Sequence, residues 1–115
     1  MNELITTDTI LGTLKSWVET KHPIDAHTWT DACQKLNILI GDEHDKLFVL
    51  QQTVAQKKLM WMETGDSVAG AKLRVEATDE YYQMKKQEAR IGQIEEAIRI
   101  AKIQARLKDN EYRNQ

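Results

Sequence analysis

Residues 26–63 read AHTWTDACQKLNILIGDEHDKLFVLQQTVAQKKLMWME, and this stretch decides the fold. Cys33, Ile40, Leu47, Val54 and Trp61 fall seven residues apart without slippage. Trp29, Leu36, Glu43, Leu50 and Lys57 make the partner position of the same heptad, with two polar members. An apolar repeat of this period marks a helix packed along one seam. The register runs straight through Gly41-Asp42, where local propensity alone would place a turn. A glycine inside a helix costs about 1 kcal/mol relative to alanine, and continuous packing offsets it. The spacing therefore predicts one helix over about 26–63, some ~57 Å long at 1.5 Å per residue. The rival reading breaks or kinks it at 41–43.

Before this helix, Asp25 is placed to cap it, and Pro23 separates it from a shorter element because the residue before a proline resists the helical region. That element, over about 8–20, starts after Thr7 or Asp8 as cap and carries Ile10, Leu14, Trp17 and Val18 at helical spacing. It is short and amphipathic, and must dock on something. After the long helix, Thr64-Gly65-Asp66-Ser67 is a turn: Gly65 takes the left-handed conformation and Asp66 or Ser67 caps the next helix. So short a connection makes neighbouring helices antiparallel.

A third helix is expected over about 68–111. Met84, Ile91, Ile98, Ala105 and Tyr112 keep one heptad position, and Leu73, Ile94 and Ala101 the other. Its beginning is weaker. Ala71, Leu73, Val75 and Ala77 alternate with polar residues as a strand would, and Thr78-Asp79 is composed like a helix start. With no second strand to pair, helix is the better reading. Asn110 to Gln115 should fray. The fold class is all-α: a short N-terminal helix and a long antiparallel, coiled-coil-like hairpin, in one domain spanning 1–115.

Composition agrees. The chain has 115 residues, enough for one domain and too few for two with separate cores. Five glycines and one proline are too few for the reversals of a β-sandwich or barrel. With 41% hydrophobic and 30% charged residues, disorder is disfavoured. Apolar runs reach only three or four residues, against the ~20 that span a bilayer, and no charged-then-apolar leader opens the chain. The single cysteine, Cys33, excludes an internal disulfide and a thiolate zinc cluster. These features predict a cytoplasmic protein with no membrane contact.

Both long helices carry a second apolar stripe. On the third, Ile100, Ile103 and Leu107 lie nearly opposite Ile91, Ile94, Ile98, Ala101 and Ala105. On the second, Phe48, Ala55, Leu59 and Met62 accompany Leu47, Leu50, Val54 and Trp61. A helix apolar on two sides needs two neighbours, and the hairpin supplies one. The expected interface residues are therefore Ile100, Ile103, Leu107, Phe48, Leu59 and Met62, joining copies into a homodimer or higher oligomeric bundle.

Charge is uneven within the net −2: residues 1–82 hold eight Lys/Arg against thirteen Asp/Glu, residues 83–115 eight against five. Arg99, Lys102, Arg106 and Arg113 make a basic face on the third helix that a phosphate backbone could follow. Glu88 and Glu95 share that face, with Glu95–Arg99 a favourable i,i+4 pair. A solvated helix face explains the row more simply. Tyr81 and Tyr82 could stack bases, but straddling the core edge, one buried and one half-exposed, is the plainer reading.

Catalytic chemistry finds little support. Gly41-Asp42-Glu43-His44-Asp45 is dense in potential ligands, yet neighbours on a helix diverge by 100° and cannot share one metal. A solvated acidic segment is expected there. His22 and His27, with Asp31 a turn later, read as surface residues near a cap. Cys33 sits at a heptad core position with no histidine on its face, so it reads as a small hydrophobe. Trp17, Trp29 and Trp61 read as core or interface anchors. No phosphate-binding glycine loop or dinucleotide fingerprint is present. The expectation is a non-enzyme without metal or cofactor that binds, bridges or inhibits another protein; the alternative is a nucleic-acid accessory protein using the basic face. A small helical hydrolase or metal enzyme built from scattered carboxylates is a third and weaker option. In composition, though in no motif, the chain resembles small accessory proteins of bacteria and bacteriophages.

Overall fold

The computed structural model describes residues 6–20 and 24–113. Within them the chain forms four helices and no strand: α1 (Thr7–Thr20), α2 (Ala26–Glu63), α3 (Val68–Glu76) and α4 (Asp79–Arg113). Pro23 and His22, expected as a breaker and a surface histidine, lie outside the described residues. No described helix is long and apolar enough to cross a membrane.

Each boundary has a local cause. Thr6, rather than Thr7 or Asp8, caps α1: the Thr9 N–H donates to Thr6 Oγ1 at 3.2 Å. Thr7 is instead buried, at 5% exposure. Asp25 caps α2 as expected, accepting the Thr28 N–H at 2.7 Å. That backbone bond, helped by the Thr28 side chain and nearby His27, lowers the Asp25 pKa. α2 then continues through Gly41 without a break, so the expected 26–63 helix forms and the rival break at 41–43 does not. At its end Gly65 takes φ 111°, and the Asp66 N–H reaches back to the Trp61 carbonyl. Ser67 opens α3 by accepting the Gly70 N–H at 3.0 Å.

The expected helix over 68–111 is two helices. Thr78 separates them, its hydroxyl donating to the Val75 carbonyl at 2.6 Å and accepting the Tyr81 N–H at 3.2 Å. One threonine thus closes α3 and caps α4, and Asp79 and Glu80 supply negative charge to the first turn of α4. The break rotates α3 out of the α4 register. Leu73, placed by spacing in the seam, is 69% exposed, while Ala71 and Val75 are buried.

The chain divides into two compact units, Met1–Gly41 with Gly92–Gln115, and Asp42–Ile91. α2 and α4 pack as a hairpin. In the first unit α1 adds a third wall to them. Ile10 and Leu14 of α1, Trp29, Ala32, Cys33 and Leu36 of α2, and Ile94, Ile98 and Ala101 of α4 form one buried cluster. Trp17 and Trp29 meet edge to face, centroids 5.1 Å apart. Val18, expected in the α1 stripe, is half-exposed instead, because Ile10, Leu14 and Trp17 already span the contact face.

The second unit is more thinly covered. Ala71, Val75, Met84 and Ile91 are buried, whereas Leu47, Leu50, Val54 and Trp61 of the α2 seam are only partly so. A polar contact spans the hairpin, Lys57 Nζ lying 2.6 Å from Glu80 Oε1, while Arg74 Nε, 2.8 Å from Asp66 Oδ2, ties α3 to the turn before it.

Candidate interaction surfaces

Two groups of exposed apolar side chains stand out, one in each unit. In the first unit, Ile100, Ile103 and Leu107 lie on one face of α4. Ile100 is partly covered, Ile103 is 40% exposed and Leu107 50%. With Glu96 before them and Asn110 after, they keep a 4-3-4-3 spacing, a second heptad stripe turned away from the buried one. In the second unit, Phe48 and Leu59 on α2 are 59% and 57% exposed, Ala55 is exposed and Met62 partly covered. All six residues expected at an interface are thus uncovered in whole or in part, three on each face.

Val49 and Met60, 60% and 50% exposed on α2, belong to neither expected stripe. The signal was in the unbroken apolar runs Leu47–Leu50 and Leu59–Met62, which are too dense for two stripes alone.

The basic face is less free than its composition suggests. Arg99 engages Glu96, not Glu95: Nε donates to Glu96 Oε2 at 2.9 Å and Nη2 to Oε1. The fork spans both carboxylate oxygens, which the flat guanidinium favours. This hydrogen bond lowers the Glu96 pKa and raises that of Arg99. Lys102 and Arg106 are exposed in whole or in part. The Arg113 backbone ends α4, and Lys108 Nζ lies 3.4 Å from Glu111 Oε2. Tyr81 is partly buried, with Lys85 Nζ 5.5 Å from its ring centre; Tyr82 is 61% exposed. The pair therefore sits further out than expected.

Glu43 is the clearest correction. The solvated acidic segment expected at 41–45 is exposed at Gly41, Asp42, His44 and Asp45, but Glu43 is 3% exposed. Its Oε2 accepts Gln87 Nε2 at 2.7 Å and Arg90 Nε at 3.0 Å, and its Oε1 accepts Arg90 Nη2 at 3.3 Å. Lys46 Nζ is 3.7 Å away. Burial alone would push this carboxyl up. The bonds from Arg90 and Gln87, and the charges of Arg90 and Lys46, outweigh burial and hold it below the ordinary range. A carboxylate so fully occupied is neither a base nor a ligand; it fixes α2 against α4.

Elsewhere the chemistry is sparse. Among the described residues no three His, Cys, Asp or Glu side chains gather as metal ligands would. Asp31 pairs with Lys35 at 2.9 Å, and His27 is exposed, as expected of a surface residue near the cap. Cys33 is buried, with Asn37 Nδ2 3.7 Å from its sulfur. A hollow of about 280 Å³ lies between α1 and α2, walled by Ile10, Leu14, Trp17 and Ala32 with Thr9, Thr13, Thr28, Asp31 and Lys35 around them. No protein-family model, curated protein or solved structure matches the chain.

Proposed function

We propose that this protein is a non-enzymatic, cytoplasmic interaction module that self-associates into a coiled-coil-like bundle and binds, bridges or inhibits another protein. One observation carries the reading: a stripe of Ile100, Ile103 and Leu107 on α4, at heptad spacing and partly or wholly uncovered. Apolar side chains scattered singly need no explanation, but a stripe with coiled-coil periodicity does. The saturated Glu43 and the buried Cys33 weigh against catalysis.

Size exclusion coupled to light scattering tests the self-association. The wild type is expected above monomer mass. Ile103→Glu places a charge in the stripe and is expected to lower the oligomeric state, since an unpaired charge buried in a contact costs several kcal/mol. A wild type that stays monomeric at high concentration, with Ile103→Glu equally folded, would refute it. Tight, steeply salt-dependent binding of DNA or RNA through Arg99, Lys102 and Arg106 would instead favour the nucleic-acid reading.

A further inference from the structure

Resting on that self-association, the charges beside the α4 stripe point to its partner and orientation: we infer that a second copy of this chain pairs with the first through parallel α4 helices over 96–111. Written as heptads, Ile100 and Leu107 take position a, and Glu96, Ile103 and Asn110 take d. The flanking g positions are then Arg99 and Arg106, and the e positions Gln104 and Glu111. Both flanks belong to the same compact unit as the stripe.

Orientation depends on which flanks meet. In a parallel pair each g side chain faces the e position five residues on in the partner helix, and such pairs set orientation. Arg106 then faces a second copy's Glu111, and Arg99 faces Gln104, twice over by symmetry. In an antiparallel pair g faces g, so Arg99 of one copy meets Arg106 of the other and like charges line an edge. The charge pattern therefore favours the parallel form.

The present partners of these groups do not obstruct it. Glu111 is held by Lys108 at 3.4 Å, with the Glu111 side chain 64% exposed, and such a surface pair is weak and readily exchanged. Glu96, which would otherwise oppose its own copy at the N-terminal end of the seam, carries its counter-charge with it in Arg99. Upstream the same positions become Tyr82, Lys86, Ala89 and Gln93, so the apolar seam ends near Glu96.

Charge reversal tests the orientation. Sedimentation equilibrium at low salt would compare wild type, Arg106→Glu, Glu111→Arg and the double variant, each checked for helicity by circular dichroism. Each single reversal should weaken the dimer about tenfold, two attractions becoming two repulsions, and the double should recover to within about twofold. An antiparallel seam gives the opposite sign for Arg106→Glu, which would tighten the dimer by facing Arg99. A second measurement does not depend on charge: Ile100→Cys and Leu107→Cys, each alone, should form a disulfide-linked dimer under oxidised glutathione. In an antiparallel seam position a faces d, so neither links to itself and Ile100→Cys links only when mixed with Ile103→Cys. The wild type, whose Cys33 is 6% exposed, is the control. An associated wild type with neither the charge pattern nor the self-cross-links overturns this seam and leaves self-association standing. A monomeric wild type overturns both.

Discussion

Replacing Glu43 by methionine should cost about 3 kcal/mol, a figure set by what each partner loses. Removing one member of a buried ion pair costs about 3–5 kcal/mol, because the other charge is left without compensation. Arg90 keeps 30% side-chain exposure and can turn its guanidinium partly to water, so the lower end of that range applies. Gln87 is not orphaned either, since its Nε2 also donates to the Glu43 backbone carbonyl at 3.0 Å. The reverse change, Arg90→Met, strands a carboxylate whose side chain is 4% exposed, and about 4 kcal/mol is expected. The double variant replaces the pair by apolar groups of similar reach and should lie within about 1 kcal/mol of wild type. Urea titrations followed by far-ultraviolet circular dichroism measure all three. The pH dependence gives an independent sign. The Glu43 carboxyl is held below its ordinary 4.5 in the folded chain, so its contribution is complete above that value and lost as pH falls through the lower, folded one. As pH falls below about 4.5 the wild type should lose stability that Glu43→Met never had, and the two curves should converge. A single-variant loss under about 1 kcal/mol, or a double variant costing the sum of the singles, would show that Glu43 and Arg90 do not act as a pair.

Gly41→Ala should stabilise the chain by about 0.5–1 kcal/mol, since the position is helical and a Cβ there meets nothing within 4 Å; Gly41→Pro should cost about 3 kcal/mol or more, and equal melting temperatures for the two would contradict a continuous α2. Thr78→Ala removes a cap and a carbonyl bond together and should cost about 1 kcal/mol, with Thr78→Ser retaining most of it; an unchanged Thr78→Ala melt would mean that packing alone separates α3 from α4.

What the sequence disclosed and what it concealed divide along one line, the range of the interaction. The 26–63 helix was legible because periodicity is local and repeated, so the heptad through Cys33, Ile40 and Leu47 outweighed one glycine. Gly65 and Ser67 were legible because turn and cap chemistry sits within three residues of its effect. Thr78 was visible as a helix start but was overruled by a heptad register carried back past it, an extrapolation that one hydroxyl defeats. Glu43 was legible as a seam position, sharing the heptad place of Trp29, Leu36 and Leu50, but not as a buried charge with donors of its own. Its partners Gln87 and Arg90 lie 44 and 47 residues away, and only the folded hairpin brings them to it. The exposed stripes were readable as stripes, because an uncovered face and a covered one have the same spacing. What covers a face is a property of two surfaces, of which the chain supplies one.

The two stripes of α4 differ in how their polar neighbours are satisfied, and that difference separates their roles. Along the inner seam Glu43 finds Arg90 and Gln87, and Lys57 finds Glu80. As the α2 position rises the α4 position falls, so these contacts hold the antiparallel register of the hairpin. A one-residue slip would leave Glu43 buried without its donors, an outcome costlier than any loss of apolar contact nearby. Along the outer stripe the flanking charges are exposed, and Arg99 and Glu111 are engaged by neighbours three residues away on the same helix. Pairs of that kind contribute a few tenths of a kcal/mol and neither fix a register nor resist exchange. The polar groups of the inner seam thus find their partners within one chain, whereas the outer stripe has apolar knobs, flanking charges of both signs and no register partner of its own among the described residues. On the proposed reading that partner is a second α4, and the same Arg106 that counts toward a basic face becomes the group that sets the direction of the pair.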